Sequence, residues 1–400
     1  MGLLFTCTGY RAGMRTLVLG LAATLGLTLA AAPAAAATST SEHPSRIQQR
    51  AAVPGLVVKR LVTGLDHPWD VRPIGQGRLI YTQRDRATVS IWADGRSRVL
   101  RGFPSGSVWV SGETGLMGLD LDPRFKRNHR FYTCQGGTTG GGHDVRVMRW
   151  TLNAALTRVT DSKRMIGGFP ATSGRHGGCR VLAVGTKLYV GTGDAAVGAN
   201  PRNKKSLGGK TLCLQLSGRP CASNPFARSS NRNKRFVHTY GHRNVQGLDQ
   251  RRDGTLWSVE QGSYRDDEVN LLRNGGDYGW HPVPGYDESV PMTDQSLPGR
   301  QRNAAWSSGD PTVATSGGGF VYGKRLGAYD GTFAVAGLKA ERVLFLKLSA
   351  SGRLQGVRVP PALREFGRIR TVVDGPGSVF YVTTDNGGGN DAILAVRPRR

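Results

Sequence analysis

A short apolar segment with one aromatic residue near its centre recurs six times along the chain. Most copies follow a turn-forming Gly, Asn or Asp, and a second segment that opens an apolar run lies upstream of each copy. The six aromatic residues are Tyr81, Tyr132, Tyr189, Trp257, Phe333 and Tyr381. Two short strands joined by a turn, repeated six times, indicate a repeating array of β-sheets.

The spacing of the aromatic residues favours a propeller. Successive copies are 51, 57, 68, 76 and 48 residues apart, and a four-stranded propeller blade takes about 40–50 residues. We therefore expect an all-β fold, a six-bladed β-propeller over residues 55–398, with insertions in blades three to five. A β-sandwich is the alternative for many short strands, but it does not explain six similar units.

The first residues have the pattern of an export signal. Arg11 and Arg15 precede an uncharged apolar run from Leu17 to Leu29, and residues 30–37 are rich in alanine. This order is typical of a secretory signal peptide, and the run is short for a membrane-spanning helix, which needs about 20 residues. We expect residues 1–37 to be removed and residues 38–54 to form a polar lead-in. The mature protein would then be secreted or periplasmic.

The amino-acid composition and the net charge argue against two classes of protein, helical bundles and nucleic-acid-binding proteins. The 57 glycines disfavour a helical bundle, because glycine is unfavourable inside helices. The 54 Lys and Arg exceed the 28 Asp and Glu, which gives a net charge of +26. These cations are scattered rather than gathered on one stripe, which argues against nucleic-acid binding. They permit peripheral contact with anionic cell-wall polymers, and the oligomeric state stays open.

Four cysteines remain after the signal peptide, and an even number in an exported chain suits two disulfides. Cys213 and Cys221 flank a turn, Ser217 to Pro220, so they could staple a hairpin. Cys134 and Cys179 would then form the second pair. Four cysteines allow three connectivities, and the sequence does not choose among them.

The upstream segments should be the inner strands, because small residues fit the crowded axis of a propeller. Polar residues just before or just inside these strands then converge on one mouth of the central channel. They are Glu113, His176, Arg243, Asn244, Gln246, Thr312, Arg368 and Arg370, and Lys339 joins them from a neighbouring turn. Cations, an imidazole and amides together suit an anionic ligand that bears carboxylates.

Acidic residues among glycines form a second candidate site. Residues 260–268 and 274–280 combine several carboxylates with glycine-rich backbone. Carboxylate and carbonyl oxygens are the ligands that Ca²⁺ prefers. An ordinary polar loop is the alternative, since the spacing is not that of an EF-hand.

Several motifs, in order along the chain, carry a family resemblance. They are His176-Gly177-Gly178, Gly191-Thr192-Gly193-Asp194, Leu207-Gly208-Gly209-Lys210, Tyr240 to Leu248, Asp267-Glu268-Val269-Asn270 and Asn274 to Trp280. With these motifs the chain resembles the soluble pyrroloquinoline quinone (PQQ)-dependent aldose sugar dehydrogenases, relatives of soluble quinoprotein glucose dehydrogenase. The resemblance covers nearly all of the mature chain, and members of that family are six-bladed propellers.

The resemblance implies oxidation of an aldose sugar at C1 to a lactone, with hydride passing to PQQ and electrons then to an external acceptor. His176 would be the general base for the C1 hydroxyl. Lys339 or an arginine, with Arg243 as the catalytic candidate, would stabilise the charge that grows on the reduced quinone. Arg243 and the other residues at the mouth, from Glu113 to Arg370, would bind the carboxylates and ring oxygens of PQQ. The particular aldose and the acceptor stay open.

The resemblance also implies two Ca²⁺ sites. The backbone carbonyls of Gly262 and Ser263 would bind a Ca²⁺ that contacts PQQ and acts as a Lewis acid. A second, structural Ca²⁺ would use Glu268, the carbonyl of Tyr278, and Asp287 or Glu288.

Three positions depart from the family pattern, and two other functions stay open. Glu113 stands in place of a glutamine, Ala195 in place of a polar residue that contacts PQQ, and Ser263 in place of a proline. These changes bear on cofactor affinity and substrate choice. The first alternative function is a Ca²⁺-dependent propeller lactonase or other hydrolase, which needs an axial cage of carboxylates and Asn. The second is a non-catalytic propeller that binds glycans or protein.

Overall fold

The structure is a computed structural model that describes residues 52–399. The expected signal peptide and nearly all of the polar lead-in lie outside the described residues. Within them, 24 strands form six antiparallel sheets of four strands each. The predicted all-β, six-bladed propeller is therefore confirmed.

The strand that comes first in the chain, β1 (Leu56–Leu65), belongs to the last blade. Blade 1 contains β2 (Pro68–Gly75), β3 (Arg78–Gln83), β4 (Thr88–Ala93) and β5 (Arg96–Val99). Blade 2 contains β6 (Leu116–Leu121), β7 (Arg130–Thr139), β8 (Gly142–Leu152) and β9 (Val159–Phe169). Blade 3 contains β10 (Arg180–Val184), β11 (Lys187–Gly191), β12 (Lys210–Gln215) and β13 (Val237–Tyr240).

The second half of the chain repeats this arrangement. Blade 4 contains β14 (Val245–Gln250), β15 (Leu256–Glu260), β16 (Glu268–Leu271) and β17 (Trp306–Ser307). Blade 5 contains β18 (Thr315–Val321), β19 (Thr332–Gly337), β20 (Arg342–Leu348) and β21 (Leu354–Arg358). Blade 6 contains β22 (Ile369–Asp374), β23 (Phe380–Thr384) and β24 (Asp391–Pro398). Helical turns are short: Ser105–Ser107, α1 (Phe125–Asn128), Asn233–Phe236, Lys324–Tyr329 and Pro361–Leu363.

The two ends of the described chain close the propeller. The strand β1 pairs with β24, with Leu56 opposite Pro398 and Leu65 opposite Asp391. The N-terminal strand thus completes the blade that the C-terminal residues begin, which leaves no blade with an unfilled outer position.

The predicted inner and aromatic strands occupy the expected places. The inner strands β2, β6, β10, β14, β18 and β22 contact one another in a closed ring around the axis. Each predicted aromatic strand is the second strand of its blade, and all six aromatic side chains are buried. The rings of Phe320 and Phe333, for example, meet edge to face at 4.7 Å between centroids. This packing explains the recurring aromatic residue, because large rings fill the space between neighbouring sheets.

The insertions lie in blades 3 and 4, and the expectation of one in blade 5 was wrong. Long connections run over residues 192–209 and 216–236 in blade 3 and over residues 272–305 in blade 4. The strands of blade 5 are joined by short connections. The long interval from Trp257 to Phe333 therefore reflects the last connection of blade 4, which precedes the first strand of blade 5.

The structure selects one disulfide connectivity. Cys134 on β7 pairs with Cys179 just before β10, and Cys213 on β12 pairs with Cys221. The second disulfide closes a tight turn in which the N–H of Gln215 donates to the carbonyl of Arg219 at 2.7 Å.

Candidate active site

The residues at the starts of the inner strands meet at one mouth of the channel. The N–H of His176 donates to Oε2 of Glu113 at 3.2 Å, and Nδ2 of Asn244 lies 3.3 Å from the same oxygen. Nη1 of Arg370 donates to Oε1 of Gln246 at 3.0 Å, and both Asn244 and Gln246 donate to Oε1 of Gln261. Blades 2, 3, 4 and 6 thus bring their predicted polar residues together.

A cleft of about 250 Å³ opens at this mouth. It is lined by His67, Arg84, Glu113, Gln246, Gln261, Leu338, Arg368, Arg370, Asp385 and Asn386. Arg370 is held in place by Asp385, whose Oδ2 accepts a hydrogen bond at 2.6 Å. Burial of Asp385 would raise its pKa, but the nearby charge of Arg370 outweighs this effect. The pKa of Asp385 is therefore held below its ordinary value. The cleft therefore presents fixed guanidinium groups, which suit an anionic ligand.

His176 is buried and is held at one ring nitrogen. Its Nδ1 lies 2.9 Å from Oδ1 of Asp194 and 3.0 Å from the hydroxyl of Tyr286. Asp194 also accepts hydrogen bonds at Oδ2 from Tyr286 and from the indole of Trp280, both at 2.8 Å. Within residues 52–399, Nε2 makes no hydrogen bond. With its proton on Nδ1, the imidazole can use Nε2 to accept a proton.

The loop that carries His176 is tightly packed, which explains its glycines. A Cβ on Gly177 would lie 2.2 Å from Oγ1 of Thr114, and a Cβ on Gly193 would lie 1.8 Å from the carbonyl oxygen of His176. The disulfide of Cys179 fastens the end of the same loop to β7. These close contacts and the disulfide together restrict the backbone around His176.

Arg243 lies beside this group and is almost fully buried. Its Nη2 donates to Oε1 of Glu288 at 2.5 Å, and its Nη1 donates to the carbonyl of Gln261 at 3.1 Å. The other carboxylate oxygen of Glu288 accepts a hydrogen bond from Arg175 at 2.8 Å. Within the described chain, Nε of Arg243 is buried without a partner. Such an unsatisfied donor is a group that a bound anion can pair with.

Two buried carboxylates face each other on neighbouring strands of blade 4. Glu260 on β15 and Glu268 on β16 form a cross-strand pair, and Nδ2 of Asn270 donates to Glu268 at 3.1 Å. Burial, together with the charge of Glu260, raises the pKa of Glu268 to about 8. Oδ1 of Asn270 is buried and has no hydrogen-bond partner among residues 52–399. Both oxygens of Glu260 are bound by His242 and by the N–H of Arg243, so Glu268 and Oδ1 of Asn270 are the oxygens that fit a hard cation such as Ca²⁺.

The predicted carbonyl ligands lie in the turn that connects these two strands. The N–H of Gly262 donates to Oδ1 of Asp267 at 2.9 Å, which shapes the turn. The carbonyl oxygens of Gly262 and Ser263 accept no hydrogen bond from the part of the chain that the structure describes. Free carbonyl oxygens of this kind are suitable ligands for Ca²⁺.

Four predicted site residues are exposed or are held by other residues of the chain. Lys339 is exposed outside the cleft, and the hydroxyl of Thr312 donates to Asp267 at 2.7 Å. Asp287 is exposed and its Oδ1 accepts two hydrogen bonds from Ser289, so the arrangement does not support its predicted role as a calcium ligand. Both carboxylate oxygens of Glu288 are held by arginines, so the arrangement does not support the role of Glu288 as a calcium ligand.

Sequence reasoning missed the groups that surround the predicted residues. Asp194 belongs to the motif Gly191-Thr192-Gly193-Asp194, but no catalytic or binding role was predicted for it. In the structure its carboxylate holds His176. Tyr286 gave no signal, because it lies in the connection over residues 272–305. Arg175 was passed over, although it directly precedes His176. Gln261 and Arg84 line the cleft from the ends of second strands. They were missed because the candidate residues were taken mainly from the starts of inner strands.

Comparisons with known proteins find similarity along most of the chain. The sequence profile described as glucose/sorbosone dehydrogenase matches residues 65–395. The chain is 28% identical over 357 residues to the aldose sugar dehydrogenase YliI of Escherichia coli, covering 86% of this chain and 93% of that protein. It is 26% identical over 363 residues to quinoprotein glucose dehydrogenase B of Acinetobacter calcoaceticus, covering 70% of this chain and 74% of that protein.

A solved structure supports the same relationship. The PQQ-bound form of an aldose sugar dehydrogenase from Streptomyces coelicolor superimposes with a TM-score of 0.70 at 27% identity, covering 87% of this chain and 100% of that chain. Among residues 52–399, no helix has the length and hydropathy needed to span a membrane.

Proposed function

The chain belongs to the glucose/sorbosone dehydrogenase family, and from this premise we propose that it is a PQQ- and Ca²⁺-dependent dehydrogenase that oxidises an aldose at C1 to a lactone. The observation that carries the proposal is the buried His176, held by Asp194 at 2.9 Å beside a cleft lined with arginines. The two disulfides suit an extracytoplasmic location, which we propose for the mature protein.

The residues of the cleft fit the proposed cofactor. PQQ is a tricarboxylate, and Arg368 and Arg370 line the cleft with guanidinium groups that can pair with carboxylates. Arg243 is not among the residues that line the cleft, and its unpaired Nε is a further donor. The amides of Asn244 and Gln246 can donate hydrogen bonds to ring oxygens. Glu113 is the exception, because a carboxylate opposes an anionic ligand unless it contacts the sugar.

The proposed chemistry divides between the cofactor and the chain. When bound, PQQ would accept the hydride that leaves C1 of the sugar. His176 would accept the proton of the C1 hydroxyl at Nε2, while Asp194 keeps the Nδ1 proton in place. Asp194 also stabilises the imidazolium that forms, as a carboxylate beside a catalytic histidine does. Loss of the hydride and the proton converts the C1 hydroxyl into the lactone carbonyl.

The proposed Ca²⁺ sites use two groups of oxygen ligands. Next to the cofactor, the carbonyls of Gly262 and Ser263 would hold one ion. The second, structural ion would use Glu268 and the carbonyl of Tyr278, to which we add Oδ1 of Asn270. The addition rests on the burial of this oxygen beside Glu268 and on its missing hydrogen bond.

A lactonase or other hydrolase of the same fold receives less support. It would need unpaired carboxylates at the axis, but Asp70 is bound by both Arg72 and Arg180. Asp120 is bound by Arg72 at 2.9 Å. A non-catalytic binding propeller would have no need for a buried histidine that is oriented by a carboxylate.

Dye reduction with a panel of aldoses tests the proposal. The purified protein should reduce the dye only when sugar, PQQ and Ca²⁺ are all present, and controls without PQQ or with EDTA should be inactive. No reduction, combined with no PQQ binding in an absorbance titration, would contradict the proposal.

Arg243→Ala tests the proposed role of Arg243 in cofactor binding. Removing this guanidinium should weaken PQQ binding by roughly 10-fold or more, since hydrogen bonds to charged groups contribute about 1.5–3 kcal/mol. The affinity is measured by absorbance titration. An unchanged affinity would count against a role of Arg243 in cofactor binding.

A further inference from the structure

The counter-ion of Arg243 comes from an insertion rather than from the propeller itself. Glu288 lies in the connection over residues 272–305, between the third and fourth strands of blade 4. Its carboxylate binds Arg243 at 2.5 Å and Arg175 at 2.8 Å. Arg175 directly precedes His176 in the chain. The insertion therefore places a negative charge against Arg243 and against the arginine that directly precedes the proposed base.

This carboxylate carries its charge at neutral pH. Partial burial would raise its pKa, but the hydrogen bonds and charges of Arg175 and Arg243 outweigh burial and hold the pKa of Glu288 below its ordinary value. Arg243 in turn needs an anion, because only 5% of its side chain is exposed and an unpaired buried charge is costly. Glu288 thus stabilises the buried arginine in the free protein.

We infer that Glu288 is the resident counter-ion of Arg243 and that it limits the affinity for the anionic cofactor. The inference rests on the proposed function. An anionic cofactor that pairs with Arg243 must either displace Glu288 or approach its negative charge. Displacement costs the existing ion pair, and close approach costs repulsion between like charges. In both cases part of the binding free energy is lost, and removing the charge at position 288 recovers it.

The neighbouring Asp287 supplies a matched control. It carries the same charge one residue away, but it is fully exposed and its hydrogen bonds go to Ser289. Glu288→Gln and Asp287→Asn therefore remove equal charge from the same segment. Only Glu288→Gln removes a carboxylate that touches Arg243. The difference between the two variants separates direct competition from a general change in net charge.

The experiment is an absorbance titration of the full protein and of both variants with PQQ, in saturating Ca²⁺. Glu288→Gln should bind PQQ about 10-fold more tightly than the wild-type protein, and Asp287→Asn should bind it with wild-type affinity. Without PQQ, Glu288→Gln should also have a lower melting temperature than Asp287→Asn, because Arg243 loses its counter-ion. A Ca²⁺ titration of each variant should match that of the wild-type protein.

Three outcomes would overturn the inference. Equal or weaker PQQ binding by Glu288→Gln would show that Glu288 does not compete with the cofactor. Loss of Ca²⁺ binding in Glu288→Gln alone would instead identify Glu288 as a calcium ligand. Failure of all three proteins to bind PQQ would overturn the proposed function and this inference together. Glu288→Ala repeats the test if the glutamine variant is poorly folded.

Discussion

His176 is held at Nδ1 by groups from two distant parts of the chain. Asp194 follows β11, and Tyr286 belongs to the insertion over residues 272–305. Both contact the same ring nitrogen, at 2.9 and 3.0 Å. This arrangement fixes the tautomer and directs Nε2 away from Asp194, which is the geometry that a general base requires.

His176→Ala should therefore separate binding from turnover. The variant should bind PQQ with nearly unchanged affinity, because the guanidinium groups of the cleft remain. Turnover should fall by roughly 100-fold to 10,000-fold, the usual contribution of a positioned base. Sugar-dependent dye reduction measures the second effect and absorbance titration the first. Turnover close to that of the wild-type protein would refute the assignment of the base.

Tyr286→Phe should act on His176 indirectly. The change removes the hydroxyl that lies 3.0 Å from the imidazole and 2.8 Å from Asp194, but keeps the ring. We expect kcat to fall about 10-fold, since a small displacement of a catalytic group is costly, with little change in PQQ affinity. The pH profile of kcat should also shift, because Asp194 loses a hydrogen-bond donor. An unchanged kcat and pH profile would mean that Tyr286 only fills space.

At the scale of elements, the disulfide between Cys134 and Cys179 joins the second strand of blade 2 to the loop of His176. Both cysteines are completely buried. The loop also receives hydrogen bonds from blade 2, where the hydroxyl of Thr114 donates to the carbonyl of Gly174 at 2.9 Å. The position of the proposed base thus depends on the packing of two neighbouring blades.

Removal of this disulfide should lower activity as well as stability. In the double variant Cys134→Ser/Cys179→Ser, we expect kcat to fall about 10-fold, because the loop loses its covalent anchor three residues after His176. The variant Cys213→Ser/Cys221→Ser is the control, since that disulfide closes a distant turn. Their spans are 45 and 8 residues, so the loss of stability should be about 4 and about 2.5 kcal/mol by the loop-entropy relation.

Steady-state kinetics and melting temperatures of the two double variants check this prediction. If both keep full kcat, or if both lose it equally, then the disulfide at Cys179 has no specific effect on the active site.

At the scale of the whole molecule, aspartates on the inner strands connect neighbouring blades. Asp70 accepts a hydrogen bond from the backbone N–H of Leu119 at 3.0 Å, and Asp120 accepts one from Ala183 at 2.7 Å. Asp249 accepts one from Phe320 at 2.7 Å. Each bond crosses from one blade to the next around the axis. These carboxylates supplement the apolar contacts that hold the ring of blades together.

Asp249 should make stability depend on pH. Desolvation raises its pKa to about 7. As the pH rises from the ordinary pKa of an aspartate to about 7, the unfolded chain releases this proton before the folded protein does. Stability should therefore fall with rising pH in this range, by at most about 1.4 kcal/mol per pH unit for one proton. Asp249→Asn should remove this part of the dependence.

Melting temperatures at pH 5 and pH 8 test this expectation. The decrease between the two pH values should be smaller in Asp249→Asn than in the wild-type protein. Asp94→Asn changes an exposed residue in the turn between β4 and β5 and serves as the control. An identical decrease in all three proteins would contradict the prediction.

The architecture and the residues at the mouth of the channel could be predicted from the amino-acid sequence. The aromatic residue on each second strand and the turn before it are local signals. They recur because every blade packs against its neighbours in the same way. The order of strands then placed His176, Asn244, Gln246 and Arg370 at one end of the axis. This followed because every inner strand runs in the same direction from that mouth.

The pairing of these residues with their partners is visible only in the folded chain. The path of the insertion over residues 272–305 has no periodic pattern, so the sequence could not show that it brings Tyr286 to His176 and Glu288 to Arg243. The disulfide connectivity was likewise settled by which strands lie side by side. Contacts between distant segments depend on how the chain folds. The sequence around a polar residue does not show which distant residue it will contact.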